Sequence, residues 1–166
     1  LRALLEITQS LGKALSLDDV LPKVLDSLFK IFVQADRGFI VLRSGPDGVL
    51  EPRWTKLRRD GDNENLRISR TIINRVMDSK EAILSADAAS DSRFEMSQSI
   101  ANFRIRSMMC APLVDSEGNA IGALQIDTFD HRSRFQPEDL EVLASVASVA
   151  ASAIDNAQMH EQALRR

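Results

Sequence analysis

Residues Ser107-Met-Met-Cys-Ala-Pro-Leu-Val114, Asp115-Ser-Glu-Gly-Asn119 and Ala120-Ile-Gly-Ala-Leu-Gln-Ile-Asp127 decide the fold. Two apolar runs of strand length flank a polar, turn-forming stretch, which predicts an antiparallel hairpin. The period of two places Ile121, Ala123, Gln125 and Asp127 on one face. Gln125 is then polar on a sheet expected to be covered on both sides, and burying it unpaired would cost roughly 1 to 3 kcal/mol. It either pairs with a neighbouring backbone group or faces a wet pocket. On the preceding strand Arg106 shares a face with Met108 and Cys110, so its guanidinium belongs at the mouth of whatever that face covers.

Outward from this hairpin, Asp36-Arg-Gly-Phe-Ile-Val-Leu42 and Val49 to Lys56, joined through Gly45-Pro46-Asp47-Gly48, predict a second one. Leu4, Ile7, Leu11 and Ala14 fall at helical spacing, with Leu1, Leu5 and Leu15 widening the stripe. The Ser16 hydroxyl is placed to cap a second helix that carries Val20, Val24, Leu28 and Phe32 inward, with Pro22 in its first turn. Ser69 is placed to cap a third with Ile72, Ile73, Val76 and Met77, followed by a short strand over Ala82 to Leu84. From Pro137 a last helix carries Leu140, Leu143, Ala147, Ala150, Ile154 and Ala157 on one flank and Val142, Val146, Val149 and Ala153 on the other. One flank is expected to cover the sheet and the other to meet a second helix or subunit. The order predicts an α+β fold with mainly antiparallel pairing.

The 166 residues fit one domain, 1–166, with 1–15 and 137–166 as terminal helices for dimerisation or linkage. Hydrophobic residues at 44% and charged residues at 27% exclude disordered and fibrous classes. Leu1 to Ile83 carries +2 and Leu84 to Arg166 carries −5, so no basic stripe for nucleic acid emerges. Arg53, Lys56, Arg58 and Arg59 read as a solvated strand end screened by Asp60, Asp62 and Glu64. The single cysteine, Cys110, forms no internal disulfide and points to a reducing, cytoplasmic setting. Leu143 to Ile154, the longest small and apolar stretch, is shorter than the ~18 residues of a membrane span. Both ends read as helices running off the sequence, the pattern of a piece of a longer protein.

The search for chemistry returns little. His131 in a polar loop and His160 near a helix end have no nucleophile beside them, and two histidines with one cysteine make no zinc spacing. Gly12-Lys13 lacks the upstream glycine of a phosphate loop. Asp115, Glu117 and Asn119 form too short a loop for calcium and read as a turn, and Cys110 reads as a small buried hydrophobe. The expectation is a non-enzyme without metal or cofactor.

Several stretches together resemble the GAF domain family of ligand-binding regulatory modules: Ser69-Arg-Thr-Ile-Ile, Asp91-Ser-Arg-Phe94, Gln98-Ser-Ile100, Ile105-Arg-Ser-Met-Met-Cys-Ala-Pro-Leu113, Gly122-Ala-Leu-Gln-Ile and Phe135-Gln-Pro-Glu-Asp-Leu140. The resemblance implies a profilin-like antiparallel sheet of about six strands, with terminal helices on one face and a ligand pocket under loops and short helices on the other. It also implies a bacterial signalling protein in which the domain is linked to an output domain such as a cyclase, phosphatase, kinase or transcription regulator. Of the Asn-Lys-Phe-Asp-Glu pattern of cyclic-nucleotide-binding members, Phe135 and Asp139 match, Arg132 is a weak Lys equivalent and Leu140 replaces the Glu. Members that reduce free methionine sulfoxide use several cysteines, against one here, and Cys110 lies mid-strand rather than where a tetrapyrrole attaches.

Phe94, Ser97, Phe103, Arg106, Met108, Gln125 and Asp127 are the candidate ligand-binding residues, with Arg106 and Gln125 as the main polar contacts and Asp127 or Asp91 as alternative partners for Arg106. Leu4, Leu11, Val142, Val146 and Val149 are the candidate dimer interface. Two functions stand open: a sensor that binds a small molecule and signals through its terminal helices, and a homodimerising scaffold whose pocket is vestigial. Neither requires nucleic acid or membrane.

Overall fold

The structure, a computed structural model, describes residues 2–12, 16–44, 48–58, 70–85, 107–129, 132 and 134–164. Helices α1 (Arg2–Gly12) and α2 (Leu17–Ile31) precede strands β1 (Arg37–Arg43) and β2 (Leu50–Leu57). Then come α3 (Arg70–Ser79), β3 (Ile83–Ser85), β4 (Ser107–Val114), β5 (Ala120–Thr128) and the long α4 (Pro137–Leu164). The α+β architecture is the expected one. Among the described residues the sheet has five strands rather than about six, in the order β2-β1-β5-β4-β3, with every neighbouring pair antiparallel. The two hairpins therefore meet through β1 and β5, with Arg37 opposite Asp127 and Leu42 opposite Gly122.

The hairpin turn forms as its sequence dictates. The Asp115 carboxylate accepts the amides of Glu117 and Asn119, each at 2.9 Å, and Gly118 takes a φ of +86°, a conformation that glycine adopts without strain. A register shift follows at Leu113/Val114. This bulge turns Ile121 toward the helical layer, so Ile121 does not share the face of Ala123, Gln125 and Asp127 as the strict period of two had implied.

Each face of the sheet has its own core. Ile40, Leu42, Met109, Ala111, Leu113, Leu124 and Ile126 face the layer built by α1, α2 and α4. Phe39, Val41, Met108, Cys110, Ala123 and Ile83 face α3 through Ile72, Ile73, Val76 and Met77. Helix α2 approaches β1 closely because Gly38 lacks a side chain: a Cβ there would stand 2.9 Å from the Phe29 ring. Ser16 does not cap α2 as expected; its hydroxyl bonds the Asp19 carboxylate at 3.0 Å, while the Leu17 amide is taken by Glu161 of α4 at 3.2 Å. Phe32, expected inside the helix, is its buried C-terminal cap residue. The Ser69 cap lies outside the described residues, and the short third strand sits one residue later than expected.

The basic cluster on β2 is not merely solvated. Arg58 donates to the carbonyls of Ala35 (2.6 Å), Phe29 (2.9 Å) and Phe32 (3.3 Å) and lies over the Phe29 ring, closing the carbonyl end of α2. Lys56 pairs with Asp26 at 2.7 Å. Helix α4 lies against β4, α2 and α1, burying Leu143, Val146, Ala147, Ala150, Ala151, Ile154 and Ala157. Its Pro137–Glu161 stretch is long and apolar enough to cross a membrane by length and composition, which the shorter Leu143 to Ile154 run did not anticipate. Here those apolar residues cover the sheet, as in the core helix of a domain.

Candidate functional site

The α3-facing side of the sheet carries a row of polar groups among apolar ones. Arg37 opens β1 and stands opposite Asp127, which stands opposite Met108, which stands opposite Ser85. In the next row Gln125 lies between Phe39 and Cys110. Arg37 is 1% exposed, Asp127 0%, Gln125 1% and Ser85 2%, so each depends on protein partners rather than on solvent.

Asp127 organises this row. Its Oδ2 accepts Arg37 Nε at 2.6 Å and pairs with Nη2 of the same guanidinium, while its Oδ1 accepts Gln125 Nε2 at 2.7 Å. The Arg37 guanidinium also lies 5.1 Å from the Phe39 ring centroid, adding a cation–π contact. The orientation of the Gln125 amide follows from charge, because a carboxylate held by arginine only accepts and the amide must turn its NH2 toward it. That leaves Gln125 Oε1 buried without a hydrogen-bond partner among the described residues, and Ser85 Oγ is in the same condition. Burial, followed by the Asp127 charge, pushes the Cys110 thiol far above its ordinary pKa, so the sulfur stays protonated and is a poor nucleophile.

Of the expected ligand residues, Met108, Gln125 and Asp127 come together on this one face. Phe94, Ser97, Phe103 and Arg106 lie outside the described residues. The partner found for Asp127 is Arg37, which the sequence reading did not single out. The signal was present, since Arg37 shares the period of Phe39 and Val41 in a strand otherwise apolar on that face.

The motif residues after β5 serve the other layer. Phe135 is buried and meets Phe32 edge-on at 6.0 Å, its amide donates to Ser107 Oγ at 3.1 Å, and that hydroxyl donates to the Ser85 carbonyl at 3.0 Å. The Asp139 carboxylate accepts the Gln136 amide at 2.7 Å, securing the first turn of α4. Asp36 closes the adjoining corner, accepting the Phe129 amide at 2.7 Å and the Thr128 hydroxyl at 3.3 Å.

Of the expected interface residues, Val146 is buried within the chain, and Leu4, Val142 and Val149 are half-buried against the helical core. The Leu11 side chain lies outside the described residues.

An antiparallel sheet with terminal helices packed together on one face and a buried polar row on the other defines an α+β module. The family model of the GAF domain matches residues 16–154, and the chain belongs to that family, whose members are regulatory sensor modules of signalling proteins. The chain is 26% identical over 174 residues to the dual 3',5'-cyclic-AMP and -GMP phosphodiesterase 11 of Drosophila melanogaster, covering 95% of this chain and 12% of that protein. It thus spans about an eighth of that relative's length. The GAF domain of a phosphoenolpyruvate-protein phosphotransferase from Coxiella burnetii superposes with a TM-score of 0.76 at 20% identity, covering 97% of this chain and 95% of that one. The free methionine-R-sulfoxide reductase of Neisseria meningitidis, solved with its substrate, superposes with a TM-score of 0.70 at 16% identity, covering 95% and 89%. The family is regulatory in general, and this fold neighbour is an enzyme.

Proposed function

We propose that this chain is a non-catalytic sensor domain of a larger cytoplasmic signalling protein, which takes up a small molecule on the α3-facing side of its sheet and signals through α1 and α4 to a linked output domain. The observation that carries the reading is the buried Arg37–Asp127–Gln125 row with one acceptor, Gln125 Oε1, unpaired among the described residues inside an apolar face. An apolar site with a few oriented polar groups is the usual form of a small-molecule site. A catalytic use of Cys110 is opposed by its burial and protonation. The homodimer held by the terminal helices belongs to the same proposal, since exposed Leu5 and Met159 lie on α1 and α4.

Native mass spectrometry of the protein purified from cells is the test. A retained small molecule, released on unfolding and lost in a Gln125→Ala variant that remains folded, is the expected result. A mass equal to the bare chain, together with no thermal stabilisation by a metabolite library, would count against a sensor.

A further inference from the structure

We propose that the group received at the centre of this face is an uncharged N–H donor, a ring or amide N–H that bonds Gln125 Oε1. The inference rests on the sensor reading and names the chemistry of its ligand.

Two observations converge on it. Asp127 turns the Gln125 NH2 toward itself, so the amide presents its oxygen to the rest of the face. A carbonyl or carboxylate brought there would meet another acceptor and be repelled, whereas a donor completes the amide. The neighbouring charges also cancel: Arg37 is held by both its Nε and Nη2 on Asp127, so the pair offers no net charge to a ligand ion. A charged group placed beside it would lose its hydration without compensation from this pair.

The surroundings favour a flat ligand. Gln125 is flanked by Phe39 and Cys110, with Met108 one row away, and aromatic rings pack well against soft sulfur and against other rings. Beyond these sulfurs, two strands from β5 and so about 10 Å away, lies Ser85 Oγ, also without a hydrogen-bond partner among the described residues. A ligand reaching both would carry its N–H at one end and a hydrogen-bonding group at the other.

Indole and benzofuran form a matched pair of probes, alike in shape and differing by N–H against O, with benzoate as the charged comparison. Titrated into the 15N-labelled chain, indole should shift the Gln125 side-chain amide resonances and bind at least about tenfold more tightly than benzofuran, with benzoate binding no better than benzofuran. Gln125→Met keeps the length and removes the acceptor, and should bring indole and benzofuran within about twofold of each other. Equal binding of the pair to the unaltered chain would overturn the inference, as would a preference for benzoate or an indole preference that survives Gln125→Met. If none of the probes moves the Gln125 amide, the donor site is refuted. A small molecule retained in native mass spectrometry would then leave the sensor reading standing without it.

Discussion

Removing either member of the Arg37–Asp127 pair leaves the other charged in a place closed to water. Arg37→Met and Asp127→Leu are each expected to cost about 3 to 5 kcal/mol in urea unfolding, while the double replacement should cost clearly less than their sum. Additive single costs would show that the two side chains do not depend on each other. Cys110 gives a second test at this scale, because its folded-state pKa is raised by burial and by Asp127. The unfolded thiol ionises near pH 8.5 while the folded one keeps its proton, so the folded state binds more protons above that pH. Stability should therefore be unaffected by this group below about pH 8 and fall as pH rises beyond 8.5, by up to about 1.4 kcal/mol per unit. The chain has no tyrosine to confuse this window, and Cys110→Ala, itself costing on the order of 1 kcal/mol in packing, should flatten the curve. An identical decline in both proteins would show that the thiol is not its source. Gln125 could be recognised from sequence because one polar residue interrupts an alternation that buries its neighbours. Its arrangement with Arg37 could not, since the two strands are brought together by a register that no local pattern states.

Among elements, the hairpin of β4 and β5 was legible almost to the residue, because Asp115 and Gly118 carry the turn within themselves and both flanking runs are apolar. The ends of α2 were not. Its sequence offers Ser16 as a local cap and leaves its last carbonyls open, yet both ends are completed from afar, by Glu161 at the first turn and Arg58 at the last. A distant partner at a helix end is invisible to any window of neighbouring residues. Arg58→Ala is expected to destabilise the domain by about 1 to 3 kcal/mol, since three carbonyls lose a charged donor at once. Arg58→Lys should recover only part of this, because an ammonium cannot reproduce the planar fork. Hydrogen exchange in the last turn of α2 distinguishes a capping role from simple surface charge. Faster exchange confined to that turn is expected, and a uniform change across the chain would contradict it.

At the scale of the whole molecule, the terminal helices divide their apolar residues between the chain's own core and its surface. Val146, Ala150 and Ile154 are used up inside, and Leu4, Val142 and Val149 are half-covered by the same core. What remains outside on these helices includes Leu5, 58% exposed, and Met159, 54% exposed, the large apolar side chains a partner helix would cover. The dimer proposed above therefore rests more on Leu5 and Met159 than on Val146, whose place inside the fold required knowing how α4 sits on β4 and α2. Sedimentation at ~100 μM should show a dimer, as an interface of standard size holds well below that concentration. Leu5→Glu combined with Met159→Glu should give a monomer, because both added charges would have to be buried unpaired at the interface. Its circular dichroism should match that of the unaltered chain, since neither residue belongs to the core, while its unfolding midpoint should no longer depend on protein concentration. A monomer in the unaltered chain would remove the dimer outright, and a dimer that survives both glutamates would move the interface to another surface.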